Sequence, residues 1–563
     1  MTRKAQPSAA AVAQKMSAIT NALAAAGAHH AQGQLHLAED FYLKALALDP
    51  NNADVMHMLG LVAFQTGRGP EGIRLMKRAA RKSPRNAAIF VNLGAAYRQA
   101  GQNAEAREAY ETAIKLNSRL WEAHYNLGKL LTDLRDYEGA TKSFQICIAI
   151  DPAHPDAFLS LGNTHKFLGD GEKARGAYEH AIKLAPKMAQ AYGNIAAVLV
   201  DQSMFSEALT FMDKAIAINP EPGELRHKRA LIALRLEQFS VGWADYESRY
   251  LAETEPVPRF PGPPADWAGE DLSGKTILIW TEQGVGDEIL YASMVHEIVA
   301  QARQCIVECS PRMVPVFARS FPRAKVVPYK ALGVRTTPPS EFDTQISAAS
   351  LGKYFRPNVA SFPRHQGYLK ANPALTAALR ARYQAIAPGN LIVGLSWRSR
   401  NTEIGEGKSA DLSTWGEVLH TPGVTFVNLQ YGDCAEDLAN VKRALGVDIV
   451  QDPDIDPLKS MDDFFAQVAA MDMVITTSTA TVHVAGSLNV PTCLLLTAGP
   501  ASLWYWFLDR ADSPWYPAVQ IFRSPPADST FGKKWWNAGV ISVGKALATK
   551  SIEHRAGITA RPA

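Results

Sequence analysis

A 34-residue period in the first 250 residues constrains the fold of this chain more than any other feature. One column of small residues repeats at this spacing: Gly60, Gly94, Gly128, Gly162, Ala196 and Ala230. A second small column is Ala45, Ala79, Ala113, Cys147, Ala181 and Ala215. Prolines form a third, at Pro50, Pro84, Pro152, Pro186 and Pro220, and bulky residues a fourth, at Met76, Tyr110, Phe144, Tyr178 and Met212. Small residues let two helices approach, bulky ones fill the gaps and proline ends a helix. The sequence therefore predicts stacked helix pairs.

Four columns held in one register resemble the tetratricopeptide repeat. This resemblance implies five full repeats over 53–222, a partial repeat at 19–52 and a divergent one at 223–252. We therefore predict an α-helical superhelix of about seven repeats over 19–252, preceded by a flexible lead-in at 1–18. Arrays of this kind coil around a concave groove that binds extended peptides.

A polar column lies two residues before the first small column, on the helix of each repeat that lines the groove. It consists of Asn92, Asn126, Ser160 and Asn194. Side-chain amides can donate to and accept from a peptide backbone whatever its sequence, so these residues are candidate acceptor-binding residues. Protein O-GlcNAc transferases, which this architecture resembles, use a ladder of this kind. The alternative is that asparagine at this place belongs to the repeat pattern itself, and both interpretations stay open.

Composition narrows the partners and the setting. The chain has 58 basic and 55 acidic residues, and its net charge of +3 is too small to indicate a polyanion-binding protein. Nucleic acid is therefore not expected as a partner. The five cysteines are too scattered for a disulfide scaffold, and Cys305 and Cys309 are expected to pack inside a strand. No secretory leader is recognisable, and no apolar run approaches the ~20 residues of a membrane span. We expect a cytoplasmic protein.

The second half has a different pattern. A proline-rich linker is predicted at 253–275, with Trp267 as its anchor. Apolar runs then alternate with helical segments, which is typical of parallel sheets covered by helices on both faces. The strand candidates are 276–281, 305–309, 325–328, 391–397, 424–430, 473–477 and 491–497. We predict two Rossmann-like lobes, 276–387 and 388–545, with a closing helix at 533–545 and a tail at 546–563. A ligand would bind in the cleft between the lobes.

The first strand leads into Gln283-Gly284-Val285-Gly286-Asp287 and then a helix. Gly284 and Gly286 would let the backbone approach a ligand, and a helix start offers N–H groups. The turn is not a P-loop, since no Lys-Ser/Thr pair follows, and it lacks the third glycine of the dinucleotide fingerprint. Asp287 can also be explained as an ordinary helix N-cap.

Several segments of 270–540 together resemble a two-lobed GT-B glycosyltransferase of the heptosyltransferase type. They are Gln283 to Asp287, Gly394-Leu395-Ser396-Trp397-Arg398, Lys408-Ser409, Asn428-Leu429-Gln430 and Thr477 to Gly486. The resemblance implies Asp287 as catalytic base and Lys408 as the contact to the donor phosphate. It also implies a phosphate cradle from Ser478 to Ala485, with Thr479, Thr481 and His483 as candidates. The family motif has Asp and Gly where this chain has Ser478 and Ala480.

Other residues of the second lobe have two interpretations each. Arg398 and Arg400 flank the cleft or are plain surface charges, and His483 donates to the phosphate or is bonded locally. Gln430 and Tyr431 end a strand where a nucleobase or ribose would lie. The acidic tract Asp452, Asp454 and Asp456 is expected to be a solvated loop and not a metal site. The aromatic run 503–507 locks a loop onto the core or stacks a base.

Taken over its full length, the chain resembles bacterial protein O-glycosyltransferases, including those that modify flagellin with nonulosonic acids. The resemblance implies transfer of a sugar such as pseudaminic acid, from a CMP-linked donor, to Ser or Thr of a flagellin-like protein held by the repeats. No cofactor and no metal are expected. The alternative is an adaptor whose repeats bind a partner and whose lobes have lost catalysis. Transfer to lipopolysaccharide would leave the peptide-binding array unexplained.

Overall fold

The computed structural model describes residues 9–221, 223–251, 264–282, 284–331, 334–399, 408–497, 502–524 and 536–557. Contacts divide the chain into two compact units, Met1–Val198 and Leu199–Ala563. The first unit is entirely helical where it is described, and the second combines helices with two parallel sheets.

In the described part of the chain, fourteen helices come before the first strand, and short turns join them into seven consecutive pairs. They are α1 Ala9–Ala31, α2 Leu35–Leu48, α3 Ala53–Gln65, α4 Gly69–Lys82, α5 Ala87–Gln99, α6 Asn103–Leu116, α7 Trp121–Asp133, α8 Tyr137–Ile150, α9 Pro155–Phe167, α10 Gly171–Leu184, α11 Ala189–Asp201, α12 Phe205–Ile218, α13 Gly223–Arg235 and α14 Phe239–Tyr246. Because α1 begins at Ala9, the predicted flexible lead-in is wrong for 9–18, and only 1–8 lie outside the described residues. The alanine-rich, glycine-poor segment simply continues the helix.

The small and bulky columns meet as the period predicts. A Cβ built on Gly94 would lie 2.6 Å from Cε1 of Tyr110, and one on Gly162 would lie 2.4 Å from Cε1 of Tyr178. Gly128 faces Phe144 in the same way, at 2.7 Å. Real Cβ atoms do not come this close, so each glycine makes room for the aromatic ring of the next helix. The first helix of each of these repeats therefore packs directly on the second.

The first sheet of the second unit has four parallel strands in the order β3-β2-β1-β4. They are β1 Thr276–Trp280, β2 Gln304–Cys309, β3 Ala324–Pro328 and β4 Thr344–Ser347. Its helices are α15 Val285–Ala292, α16 Val295–Gln301, α17 Val314–Ser320 and α18 Gly352–Phe355. Every residue of β1 is buried, which suits a central strand covered on both faces.

The second sheet has five parallel strands in the order β6-β5-β7-β8-β9. They are β5 Leu391–Ser396, β6 Val424–Asn428, β7 Met473–Thr477, β8 Thr492–Thr497 and β9 Val519–Ser524. The helices are α19 Pro373–Ile386, α20 Gly416–Leu419, α21 Ala435–Leu445, α22 Met461–Ala469, α23 Ala480–Ser487 and α24 Asn537–Arg555. All seven predicted strands are confirmed, and β4 and β9 are additional. We call the part built on β1–β4 the first lobe and the part built on β5–β9 the second lobe.

Two predicted segments have different ends. The closing helix α24 continues to Arg555, so the predicted tail at 546–563 is wrong for 546–555. Within the predicted linker, residues 252–263 lie outside the described part. Trp267, however, is 6% exposed, and its backbone N–H donates to the Gln345 carbonyl at 2.7 Å. Trp267 thus anchors this segment to β4, as predicted.

One apolar cluster runs through most of the second unit. It includes Phe239 and Trp243 of α14, Ile277 of β1, Phe465 of α22 and Trp515. The last predicted repeat is therefore packed into the α/β body itself, and the contact division falls at 198/199 instead of the predicted 252/253.

Candidate functional site

The glycine turn after β1 brings the first lobe against the second. Gly284 is the residue before α15 and has φ +83°, a backbone conformation that favours glycine. A Cβ on Gly286 would lie 3.1 Å from Cδ2 of His483, which belongs to α23 of the second lobe. The two helices α15 and α23 thus approach each other through a residue without a side chain. Gln283 lies outside the described residues.

Asp287 lies in the first turn of α15 and is partly buried. Burial raises the pKa of its carboxyl to about 7, and the charges of Glu282 and Glu288 add to the effect while Lys408 opposes it. The residue at the N-cap position is Gly284, so the alternative that Asp287 is the N-cap is wrong. Among the described residues no hydrogen bond involves its carboxylate. A carboxylate that is half protonated near neutral pH can serve as a base or an acid.

Lys408, in the second lobe, is near enough to Asp287 for the charge of each to shift the pKa of the other. Its side chain is 7% exposed, and burial lowers the pKa of the ammonium to about 8, against the attraction of Asp287. No ion pair to Lys408 occurs within the described part of the chain. A buried cation without an ion-paired carboxylate is suited to an anionic ligand. Arg400, the neighbouring candidate, lies outside the described residues with 401–407.

The carboxylate of Glu282, two residues beyond β1, is held by an arginine from outside both sheets. Arg249 lies in the 3-10 turn Glu247–Leu251 that follows α14, and its Nε donates to both oxygens of Glu282 at 3.1 and 3.0 Å. Tyr250 donates a further hydrogen bond at 3.0 Å, and Ser347 another. Burial favours a raised pKa for Glu282, but Arg249 outweighs it and holds the pKa below the ordinary value. This pair was not predicted from the sequence.

A second contact joins α14 to the site. The hydroxyls of Tyr246 and Tyr291 lie 2.9 Å apart, and both rings are buried. Tyr291 lies one helical turn beyond Asp287 on α15. The last repeat helix is therefore fixed to the helix that carries the candidate base. The only hint in the sequence is a concentration of aromatic and charged residues in 243–250, directly before the linker.

The start of α23 supplies polar groups opposite the glycine turn. Thr479 is its N-cap residue, and its Oγ1 lies 3.3 Å from Oγ of Ser396. Thr481 is fully buried, and its hydroxyl has no hydrogen-bond partner in the described structure. Ser478 accepts a hydrogen bond from Trp506 Nε1 at 2.9 Å, which uses one of the two lone pairs of its Oγ. A helix start with an unpaired hydroxyl is suited to a phosphate or carboxylate.

His483 is bonded on both sides. Its Nδ1 lies 2.7 Å from the hydroxyl of Tyr516 and its Nε2 3.2 Å from that of Tyr505, while the ring stacks on Trp506. Burial, with a smaller effect of Lys408, lowers its pKa to about 3, so the ring is neutral. This geometry supports local bonding over donation to a ligand. It also places the aromatic run 503–507 in the core, where Trp504, Tyr505 and Trp506 are buried.

Gln430 is used by the backbone around it. Its Oε1 accepts from the N–H groups of Trp397 and Arg398 at 3.0 and 2.9 Å, and its Nε2 donates to the carbonyls of Arg398 and Tyr431 at 2.9 and 3.2 Å. Both amide hydrogens are thereby occupied. Gln430 therefore fixes the end of β5 next to Tyr431 and offers no free donor to a base. The Arg398 guanidinium lies 3.4 Å from the carboxylate of Asp437.

The acidic tract is partly paired. Asp452 is 3% exposed and accepts from Arg382 at 2.8 Å and from the Tyr383 hydroxyl at 2.8 Å, while Asp454 contacts the same arginine at 2.9 Å. Asp452 is thus a buried partner and not a solvated residue. In the part of the chain that is described, no three His, Cys, Asp or Glu side chains are grouped as metal ligands. No described helix is long and apolar enough to cross a membrane.

Some side chains of the polar column form hydrogen bonds to neighbouring repeats. Asn92 Nδ2 lies 2.8 Å from His57 Nε2, and Asn194 Nδ2 donates to Asn163 Oδ1 at 2.9 Å. Ser160 is hydrogen-bonded to Tyr125. Only Asn126 has no side-chain hydrogen bond within the described residues. All four column residues are partly buried, so the column both joins neighbouring repeats and leaves part of its bonding capacity free.

Comparison with known proteins supports the repeat assignment. Three tetratricopeptide-repeat family models match, at residues 94–134, at 57–106 and 159–221, and at 23–52 and 122–154. A relative in Caulobacter vibrioides, Protein FlbA, is 35% identical over 354 residues, which cover 60% of this chain and 59% of the relative. The chain thus spans about 59% of the length of that relative.

Two solved structures each match about a third of this chain. MamA is 25% identical over 30% of this chain and 97% of its own, with a TM-score of 0.28. YrrB, described as a TPR protein with an unusual peptide-binding site, is 19% identical over 34% of this chain and 98% of its own, with a TM-score of 0.30. Scores this low add nothing to the family matches. The family models and the helix pairs together identify the first part of the chain as a tetratricopeptide-repeat superhelix, followed by an α/β region with parallel sheets.

Proposed function

We propose that this protein is a protein O-glycosyltransferase whose repeats hold an acceptor polypeptide and whose two lobes form a GT-B catalytic body. The observation that carries the proposal is Asp287, a carboxyl with a pKa near 7, facing the buried ammonium of Lys408 across the two lobes. A base and a phosphate-binding cation are the two groups that sugar transfer to a hydroxyl requires.

The proposed step is a single displacement at the anomeric carbon. Asp287, ionised, accepts the proton of a Ser or Thr hydroxyl, and the hydroxyl oxygen forms the new bond to the sugar. The bond from the anomeric carbon to the phosphate oxygen breaks, and its electron pair leaves with the nucleotide. Lys408 and the first turn of α23 with Thr481 stabilise the negative charge that develops on the phosphate. No metal is needed in this scheme.

The donor and acceptor are proposed from the resemblance to flagellin-modifying enzymes. We propose a CMP-linked nonulosonic acid such as pseudaminic acid as donor and a flagellin-like protein as acceptor. Asn126 is the best candidate of the polar column for direct acceptor contact, since its amide is the one without a bond to a neighbouring repeat.

The alternative, a non-catalytic adaptor, is favoured by Ser478. Where the resembled family has an acidic residue, this chain has Ser478, which carries no charge and accepts a hydrogen bond from Trp506 Nε1 at 2.9 Å. An adaptor would bind the same acceptor through the repeats but neither nucleotide nor sugar. The two proposals therefore differ in whether the lobes bind a nucleotide at all.

The deciding experiment uses the full chain, CMP-pseudaminic acid and purified flagellin, with the intact mass of flagellin as the readout. We expect a mass gain with the wild-type protein, a loss of at least about a hundredfold in rate for Asp287→Asn, and no change for Asp271→Asn, an exposed carboxylate of the same unit. Melting in the presence of CMP, UDP or GDP is recorded in parallel, since a ligand that binds the folded state raises its stability.

The outcomes separate the proposals. Melting raised by a nucleotide in both wild type and Asp287→Asn, with transfer lost only in the variant, supports catalysis by Asp287. Transfer that continues unchanged in Asp287→Asn rejects the base. No transfer and no nucleotide effect on melting, with flagellin still bound, leaves the adaptor.

A further inference from the structure

The second helix of the second repeat, α4, presents an unusual concentration of positive charge. Six exposed basic residues lie on it and in the turn that follows: Arg74, Lys77, Arg78, Arg81, Lys82 and Arg85. The one acidic residue of α4, Glu71, is paired with Arg68 at 3.5 Å. None of the six has an ion pair among the described residues. We call this surface the basic face of α4. Against a net charge of only +3 for the chain, it is a local feature.

The repeat architecture does not require this charge. One period further on, Glu108 and Glu111 occupy the places of Arg74 and Lys77. On α6 the cation Arg107 is paired with Glu111 at 2.9 Å, and on α10 Arg175 is paired with Glu179 at 3.0 Å. The corresponding helices of other repeats therefore balance their charges within one helix.

The basic face of α4 carries an energetic cost in the free protein. Arg74 and Arg78, Lys77 and Arg81, and Arg78 and Lys82 are like charges four residues apart on one helix. Each such pair destabilises the helix by roughly 0.2–0.5 kcal/mol. A bound partner of opposite charge would remove this repulsion and gain attraction instead.

The shape of the face distinguishes between partners. Leu75, Met76 and Ala79 point into the array and are buried, so the cations form a strip one helix wide. From Arg74 to Lys82 it is about 12 Å long, at 1.5 Å per residue. Met76 shares an apolar cluster with Tyr110 of α6, the helix that carries the exposed Glu105 and Glu108.

A broad anionic surface would extend past the strip onto other helices of the array, where α6 exposes Glu105 and Glu108. No large apolar side chain is exposed on α4 among the described residues, which disfavours insertion into a lipid surface. A nucleic-acid duplex, wider than the strip, would also bring phosphates toward Glu105 and Glu108. A single polypeptide segment, about 10 Å across as a helix, matches the width of the strip.

We propose that the basic face of α4 docks an acidic polypeptide segment whose carboxylates lie along one side of a helix. Carboxylates at i, i+4 and i+7 of such a segment would run alongside Arg74, Arg78 and Arg81. The surface lies on the second helix of its repeat, away from the polar column, and the proposal does not depend on sugar transfer.

The test measures binding of two fluorescent peptides to the full chain at low salt. One is a helical peptide with glutamates along one face, and the other has the same composition with the glutamates distributed around the helix. We expect the first to bind about tenfold more tightly than the second, with affinity that falls as salt rises. The variant Arg74→Gln, Lys77→Gln, Arg78→Gln and Arg81→Gln should lose at least about tenfold in affinity for the first peptide.

The matched control changes four exposed cations on the corresponding helices of other repeats: Arg107→Gln, Lys115→Gln, Lys142→Gln and Lys183→Gln. It should change the affinity by less than about twofold. The basic-face variant should melt at or slightly above the wild-type temperature, because its like-charge pairs are removed. The control should melt at or slightly below that temperature, because Arg107 is paired with Glu111. Equal binding of the two peptides, or equal loss in the control, would overturn the proposal. So would tighter binding of duplex DNA or of phosphatidylglycerol vesicles that is lost in the basic-face variant.

Discussion

The Nε of Arg249 donates to both carboxylate oxygens of Glu282, at 3.1 and 3.0 Å, with the arginine 1% exposed. The arginine comes from the turn after the last repeat helix, and the glutamate lies two residues before Gly284. The glycine turn after β1 is therefore held by a residue that follows the last repeat helix. The negative charge of Glu282 raises the pKa of Asp287, the candidate base. Arg249 therefore pairs with a charge that affects the protonation of that base.

Removal of Arg249 tests this relationship. Arg249→Met leaves the Glu282 carboxylate buried without its cation, which we expect to cost about 3–5 kcal/mol in stability. Arg249→Met combined with Glu282→Gln should recover part of the loss, because no buried charge is left unpaired. Urea unfolding of the two single variants and the double variant gives the coupling free energy. A double variant less stable than Arg249→Met alone would show that the pair is not coupled in this way.

The raised pKa of Asp287 predicts a stability effect that is independent of activity. The folded protein holds this proton up to about pH 7, whereas the unfolded chain releases it near pH 4. Folding is thus favoured by the protonated carboxyl, and this contribution is lost as pH rises from 4 to 7. We expect Asp287→Asn to melt at a higher temperature than the wild type at pH 8 and at nearly the same temperature at pH 4.

Asp271→Asn is the control for this melting series, because hydrogen bonds from Ser273 lower the pKa of that exposed carboxyl. Its substitution should leave melting unchanged or slightly lowered at pH 8. If Asp287→Asn behaved in the same way, Asp287 would have to be fully solvated and ordinarily acidic.

A pH–rate profile follows from the two facing groups. Under the proposed reaction, transfer requires Asp287 ionised, so the rate should rise with pH through about 7. It also requires Lys408 charged, so the rate should fall above about 8. The profile of kcat/KM for flagellin should therefore be bell-shaped and narrow. A rate independent of pH between 6 and 9 would contradict both assignments.

The sequence period was sufficient to predict the helix packing that recurs in each repeat. The glycine column predicted the contacts of Gly94 and Gly162, because a 34-residue period reports the same packing over and over. Strands such as β1, which is apolar after its first residue Thr276, were also predictable. β4, Thr344-Gln-Ile-Ser, was not, since a four-residue polar strand becomes recognisable only through its pairing with β1.

The candidate site was predicted in its first turn but not in its supports. Gly284, Gly286 and Asp287 form a local motif, whereas the pair of Arg249 and Glu282 joins residues 33 apart across a linker. Gln430 was predicted to lie where β6 ends. Its hydrogen bonds to the backbone of Trp397 and Arg398, however, depend on the segment that follows β5. Contacts that join distant segments leave no periodic trace in one sequence.

The repeat glycines make a direct packing prediction. A Cβ on Gly162 would lie 2.4 Å from the ring of Tyr178, which cannot move without disturbing its hydrogen bond to Asn163. We expect Gly162→Ala to cost about 1–3 kcal/mol by overpacking. Gly176→Ala, on α10 with nothing within 4 Å, should instead stabilise by about 0.5–1 kcal/mol. Thermal unfolding of the two variants checks the contrast, and an equal effect would contradict it.

Gly286→Ala tests the approach of the two lobes. The new methyl group would lie 3.1 Å from Cδ2 of His483, a ring that Tyr505, Tyr516 and Trp506 hold in place. The ring has little freedom to yield, so α15 and α23 must separate by a few tenths of an ångström. Asp287, the next residue along α15, would then move away from Lys408.

This separation should be measurable without any assay of transfer. Since Lys408 opposes the rise in the Asp287 pKa, a greater distance should raise that pKa further, and NMR titration of the Asp287 carboxyl would show it. Gly274→Ala, which meets nothing within 4 Å, serves as control and should leave the titration unchanged. If Gly286→Ala titrated as the wild type does, the close contact of α15 with His483 would not set the distance between base and cation.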